Sequence, residues 1–518
     1  MMNIFYKKRS GSVSIFLAMI LLFTLSVVFI LAEGIRQLAI KQETKIISHT
    51  SRDYLESIYQ KNLWDDYGIL AVDMSLGRDS DNLSGIEKKL IKSMEKNGNP
   101  YIDDGIDFIR AIPSSCSIDD YGLLTDNNGS AFIRLAAQKE FETIPLKTVD
   151  ELMNLVNKGK TGATADDTMM QDIENGEKAL QDIEKEKTKS KEPNGKSELA
   201  NSSEKTDQEQ SKNKYTEKQW GDTEDPMKTA KDQKGKETLS FFLPKGKKVS
   251  DKVMSTDNIL EKRIIEKGTK EVESPSAINR VMFNEYIMDR MSSYSDEKET
   301  TGLKYEVEYI LGGSGSDGEN LKKIINQILI FRESENVLAI FKDPIKNGDA
   351  GSLAISIAGA SANPILIEAV KTGIIAGWAY AESVLDVRAI MDGKKVPLIK
   401  TQTEWTSELT SLPTLLRDGA QAKSVESGLS YESYIRFLMY FKAEKTAAYR
   451  TMDIIENSLS QLEGMENIRM DRLLYSARIR MEYKADTIFP IFTDVPELIK
   501  GYAYQRDEEM TYLRKKTG

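Results

Sequence analysis

Apolar and polar positions divide this chain before any motif is read. No charged residue occurs from Ser10 to Ala32, and Val13–Ala32 reads VSIFLAMILLFTLSVVFILA. As a helix rising about 1.5 Å per residue, the 23 uncharged residues Ser10–Ala32 reach roughly 34 Å, past a hydrocarbon core of about 30 Å. It is longer than the apolar stretch of a cleaved signal, about 7–15 residues, and Leu31-Ala32-Glu33 offers no small-x-small site. The pattern predicts an uncleaved transmembrane anchor over residues 10–32. Ile40, Ile47 and Tyr54 then recur at seven-residue spacing among Lys45, Arg52 and Glu56, which predicts a stalk helix over 33–64 carrying His49.

Further along, Tyr67–Val72 and Ile106–Ile112 read as short strands. Ser130–Phe141 has helical spacing after the turn Asp126-Asn127-Asn128-Gly129. Lys304–Leu311 (KYEVEYIL) alternates as a strand, as does Leu473–Tyr483, and the two predict a small antiparallel sheet. Gly351–Ile367 is uncharged, but Asn363-Pro364 interrupts it, so two soluble helices joined at the proline are expected. Helical patterns cover Ile365–Met391, Tyr431–Phe441 and Glu444–Leu459. The predicted class is α+β and helix-rich, with a small antiparallel sheet packed on helices.

Composition adds a boundary. Glu184–Glu237 carries Lys and acidic residues in equal number and few apolar ones. Such a stretch cannot bury enough surface to offset a chain entropy of roughly 1–2 kcal/mol per residue. The expected organisation is a cytoplasmic tail (1–9), membrane helix (10–32), stalk (33–64), exterior α+β region (65–157), disordered mixed-charge linker (158–238, core 184–237) and C-terminal α+β domain (239–518).

Charge and rare residues restrict the chemistry. With 71 Lys+Arg against 81 Asp+Glu the net charge is −10, unlike the basic surplus of a nucleic-acid binder. One His and one Cys exclude an intrachain disulfide and a Cys/His zinc centre. Gly313, Gly315 and Gly318 match the G-x-G-x-x-G spacing of a dinucleotide loop. Lys304, Glu306 and Glu308 put charge on one face of the preceding segment, however, and no series of alternating strands and helices follows. The glycines therefore read as a connector between an edge strand and a helix, and no cofactor or metal is expected. Glu382 and Asp386 lie one turn apart with Arg388 nearby, as paired carboxylates could, but without a third oriented partner they read as an ordinary helix face. Gly373, Gly377 and Ala381, at four-residue spacing, predict a close helix-packing seam, with Trp378 and Tyr380 as core residues beside it.

Two segments resemble known families. Arg9-Ser10-Gly11-Ser12-Val13-Ser14-Ile15-Phe16, leading into an apolar and then an amphipathic helix, is similar to the N-terminus of TadE/TadG-like proteins, pilin-like components of tight-adherence pilus systems. That resemblance implies a cleavage between Gly11 and Ser12 in processed members, with a glutamate at the fifth position after the cut. Phe16 stands there instead, which fits an uncleaved, TadG-like anchored protein. Tyr305–Leu311, Glu319-Asn320-Leu321, Ile328–Asn336 and Trp378–Arg388 through Lys395-Val396-Pro397-Leu398 resemble a domain of unknown function. It occurs in anchored envelope proteins of Gram-positive bacteria, often beside Tad-type pilus genes, and implies a context without catalytic residues.

The expected function is therefore non-enzymatic: a single-pass component or accessory factor of a Tad/Flp-like (type IVb) pilus or secretion apparatus. Its N-terminus would be cytoplasmic and its bulk extracellular, with apparatus proteins as partners and no nucleic acid. An anchored binding or sensory module for a cell-wall ligand is the alternative. A nucleotide-dependent enzyme using the Gly313–Gly318 loop is a third reading.

Overall fold

The computed structural model describes residues 11–76, 83–98, 108–141, 233–234, 237–359, 363–488 and 501–514. The expected tail (1–9) and most of the expected linker (158–238) lie outside them. The chain divides into two compact units, each discontinuous in sequence: 1–143 with 258–283 and 451–518, and 144–257 with 284–450. They do not coincide with the expected segments 65–157 and 239–518.

The first unit is organised by helix α1, Gly11–Ser57. Its first part is apolar on all sides and exposed, and it is long and apolar enough to cross a membrane. Beyond it α1 is no free stalk. Ile40, Ile47 and Leu55 are wholly or almost wholly buried, so the seven-residue stripe faces a core of its own chain. The helix stops at Ser57, short of Leu63, which lies in a separate helix α2 (Lys61–Tyr67) ended by Gly68 in the left-handed region.

That core is closed by an antiparallel sheet and helix α3 (Leu83–Asn97), which contributes Ile86, Leu90 and Met94. Strand β3 (Leu473–Ala485) is central and alternates cleanly. Ala477, Ile479, Met481 and Tyr483 point inward, while Arg478, Arg480, Glu482 and Lys484 point to solvent. Strand β2 (Ile112–Leu123) pairs along one side, with Ile118 opposite Ile479. On the other side lie β1 (Val72–Asp73) and β4 (Tyr502–Thr511), with Glu508 opposite Ile479. The partners of β3 thus come from before residue 124 and from the C-terminal segment, not from Lys304–Leu311. Helix α1 is fastened to the sheet by Ser48 Oγ to Tyr483 OH (2.7 Å), and by Arg506, which donates to the Lys41 carbonyl (2.6 Å). His49 Nδ1 faces Glu508 at 3.1 Å, while Cys116 is buried in β2.

Asp126-Asn127-Asn128-Gly129 forms the expected turn, its last three residues at positive φ, and leads into helix α4 (Asp126–Glu140). The strand expected at Ile106–Ile112 is not found over its described part. Phe108 and Ile109 form a turn, and β2 begins only at Ile112.

The second unit is helical. KYEVEYIL, expected as a strand, forms helix α5 (Glu306–Gly312). The alternation misleads because neither glutamate faces water. Glu306 accepts from the Ser292 amide (2.9 Å) and Glu308 from the Tyr294 amide (3.0 Å), both within a buried turn. Helices α6 (Asp317–Lys342), α7 (Pro344–Ala358) and α8 (Pro364–Met391) follow. As expected, the uncharged stretch breaks at Asn363-Pro364. The Asn363 side chain accepts from the Ile365 amide (3.1 Å), with proline at the first helical position, where its missing N–H costs nothing. From Gly377 to Met391 every residue of α8 is buried, the pattern of a central helix. Helix α9 (Tyr431–Phe441) stands where the pattern put it, and so does α10 (Glu444–Leu459), whose residues from Thr451 on are assigned to the first unit.

Candidate functional site

Two helices build a polar cluster inside the second unit. Arg332 and Asn336, one turn apart on α6, share a face with Ile325, Ile328 and Leu329. Glu382, Ser383 and Asp386 occupy the equivalent stripe of α8. Lys400 enters from the segment after the isolated bridge between Val396 and Leu429. The side chains of Arg332, Asp386, Glu382 and Lys400 are all fully withdrawn from solvent.

The geometry explains how so much charge is tolerated. Arg332 Nε donates to Asp386 Oδ2 at 3.0 Å, and its terminal nitrogens reach the carbonyls of Pro397 (3.0 Å) and Leu398 (2.7 Å) and Asn336 Oδ1 (3.2 Å). Asn336 Nδ2 donates to both Ser383 Oγ and Asp386 Oδ2 at 2.9 Å. Lys400 pairs with both Glu382 and Asp386. Glu382 also accepts from the amides of Thr406 (3.0 Å) and Ser407 (2.8 Å), and Ser407 Oγ in turn accepts from Trp378 Nε1 (2.9 Å). Two cations and two carboxylates therefore form a neutral set, in which Asp386 Oδ1 is met by the Lys400 ion pair alone. Burial opposes the Arg332 charge, but Tyr434 and Asp386 outweigh it and hold the guanidinium above its ordinary value.

Burying each ion costs several kcal/mol, which mutual attraction and hydrogen bonds offset only in good geometry. Among the described residues the carboxylates of the set meet protein donors and no solvent, so the cluster pins α6, α8 and the 396–407 segment together. The sequence pairs Glu382 with Asp386 but reads them as an ordinary helix face; the structure corrects this, because the oriented partners Arg332, Asn336 and Lys400, which the sequence reading missed, meet them in the core. The available signal was an Arg and an Asn one turn apart on an otherwise apolar face. Arg388, grouped with the carboxylates on sequence, turns elsewhere and donates to the carbonyls of Phe241 (2.9 Å) and Leu416 (2.9 Å). Trp378 and Tyr380 are buried, as are Gly377 and Ala381, with Gly373 half-buried on the same helix.

The glycine loop has a packing explanation. Its preceding element is α5, a helix, so the strand–loop–helix setting of a dinucleotide site is missing. Gly313 lies at φ +72°, where a Cβ would run into the Arg450 guanidinium. Arg450 caps α5 by donating to the carbonyls of Ile310 (3.0 Å) and Leu311 (3.1 Å). At Gly315 a Cβ would stand 2.5 Å from the Met254 carbonyl oxygen, which belongs to a backbone crossing. Gly318 is open, with nothing nearer than 3.8 Å. Asp317 accepts from the amides of Lys304 and Tyr305, both at 3.0 Å, which closes the loop upon itself.

The fold thus defines a helix-rich α+β protein with one N-terminal helix able to span a membrane and a closed polar cluster inside its helical unit. Residues 216–485, more than half of the chain, match the model of a family of unknown function (DUF5702), and the chain belongs to that family. The match ends at Ala485, the last residue of β3. No curated protein and no solved structure matches the chain.

Proposed function

We propose that this protein is a single-pass membrane-anchored scaffold, acting by protein–protein contact as a component or accessory factor of a Tad/Flp-like pilus or secretion apparatus. The observation that carries the reading is α1, one continuous helix whose apolar part is bare and whose remainder forms the spine of a folded unit. Within the TadE/TadG-like run Arg9–Phe16, the residues from Gly11 onward begin that helix. The polar groups that invite an enzymatic reading are spent on one another, as Glu382 is on Lys400 and two backbone amides. Three positive charges before Ser10 favour a cytoplasmic N-terminus and an extracellular bulk.

Affinity capture of the intact protein in mild detergent tests the assignment. Tad-type ATPase or platform subunits should co-purify, and their absence under conditions that preserve the apparatus rules it out. The mass of the mature N-terminus separately decides whether Gly11–Ser12 is cut.

A further inference from the structure

The first charged residues after the apolar run are missing from the surface. Glu33 and Arg36 are 1% and 5% exposed and pair at 2.8 Å. Arg36 Nε donates to the Phe108 carbonyl at 2.6 Å, and a terminal nitrogen donates to the Asp486 carbonyl at 2.5 Å. One arginine therefore ties α1 to the turn before β2 and to the residue after β3. Arg36 stands four residues past Ala32, about 6 Å along the helix. Both loops consequently sit at the level where α1 leaves its apolar segment.

What these elements show outward is mainly apolar, with Arg110 and Asp486 the exposed charges among them. Ile35 and Leu38 on the opposite face of α1 are 68% and 70% exposed, Phe108 is 49% exposed, and Ile109 and Ile488 are each 40% exposed. With Glu33 and Arg36 turned inward, the exposed face of α1 carries no charge until Lys41.

We infer that these residues form a collar seated in the interfacial layer of the bilayer that α1 crosses, so that the first unit rests on the membrane instead of standing off on a stalk. The inference depends on the membrane-spanning reading of α1. Continuity with the span identifies the occupant: hydrocarbon ends and headgroups extend the bilayer to about 40–45 Å, which is where the collar falls. The Glu33–Arg36 pair fits that setting, because neutralising and hydrogen-bonding both groups removes the cost of placing bare charge near hydrocarbon. Exposed Arg110 beside Ile109 can reach lipid phosphate while the apolar tips insert.

Depth-dependent quenching in the full chain tests this. Leu22→Cys, Phe108→Cys, Ile488→Cys and Thr50→Cys are each labelled with an environment-sensitive fluorophore and reconstituted into phosphatidylcholine/phosphatidylglycerol vesicles containing lipids with quenchers at shallow or deep acyl positions. Leu22 should lose emission to the deep quencher, and Phe108 and Ile488 to the shallow one. Thr50, exposed on α1 and about 21 Å beyond Arg36, should lose none. Phe108 and Ile488 behaving like Thr50 while Leu22 is quenched overturns the collar and leaves the span intact. An unquenched Leu22 overturns both.

Discussion

Arg332 Nε meets Asp386 Oδ2 at 3.0 Å with neither side chain exposed, joining two helices whose charged residues lie 54 positions apart. Removing one partner leaves the other charged and dry, which typically costs roughly 3–5 kcal/mol. Arg332→Met and Asp386→Asn are each expected to lower the thermal midpoint of the full chain sharply. Arg332→Met combined with Asp386→Asn should cost less than the two single changes summed, because no stranded charge remains between them. Strict additivity in that cycle would show the pair to be uncoupled.

The three glycines of the connector should separate by their surroundings. Gly313→Ala needs a left-handed backbone and pushes into Arg450, and Gly315→Ala pushes into the Met254 carbonyl. Both are expected to destabilise, by roughly 1–3 kcal/mol as strained positions do. Gly318→Ala, in the first turn of α6 with open space around it, should be neutral or stabilise by about 0.4–1 kcal/mol. A nucleotide cradle predicts a different pattern, with thermal shifts on adding dinucleotide that all three substitutions abolish. Melting curves of the three variants, with and without dinucleotide, distinguish the two.

The places where the sequence was legible share one property: neighbouring residues along the chain carried the information. The bare half of α1, the Ile40–Ile47 stripe, the stop at Asn363-Pro364 and the inward row of β3 are all local periodicities. KYEVEYIL failed because alternation assumes that glutamate marks solvent, whereas Glu306 and Glu308 are consumed by backbone amides of a buried turn. Strand β4 gave little signal, since its exposed edge is polar at nearly every position and only Met510 is buried. Its pairing, and that of β2 with β3 across more than 350 residues, depends on contacts that no window of sequence contains. The cluster was half visible for the same reason. Glu382 and Asp386 are neighbours on a helix, while Arg332 and Lys400 approach only through the fold.

Cys116 is expected to be chemically silent. Burial and the nearby Glu87 carboxylate push its thiol up to about 12, so almost no thiolate exists at neutral pH. Native protein should resist maleimide or Ellman's reagent and react stoichiometrically only after denaturation. Fast labelling of the folded chain would mean that β2 is open where it should be paired with β3.

Stability should fall as the pH rises from 5 to 8. Burial pushes Glu306 and Glu308 up to about 7, although Ser292, Tyr294 and Tyr431 donate hydrogen bonds to their carboxylates. Burial likewise pushes Asp453 up to about 7, against one bond from the Leu260 amide. The ordinary values for these groups are 4.5 and 3.8, so between the two ranges the folded chain binds protons that the unfolded chain releases. Their contribution is complete at the acid end and is lost as pH climbs through about 7. At Asp471 burial is outweighed by Arg469 and Arg263, which hold the carboxyl below its ordinary 3.8, so the contribution of this group is lost as the pH falls below that value. The optimum should therefore lie near pH 5, with a loss on the order of 1–3 kcal/mol per buried carboxyl toward pH 8. Glu308→Gln keeps an acceptor for Tyr294 and Tyr431 without a proton to lose, so it should raise the midpoint at pH 8 relative to pH 5 and flatten the profile. A parent protein whose thermal midpoint climbs from pH 5 to pH 8, or a Glu308→Gln profile as steep as the parent's, would show that these carboxyls ionise as freely folded as unfolded.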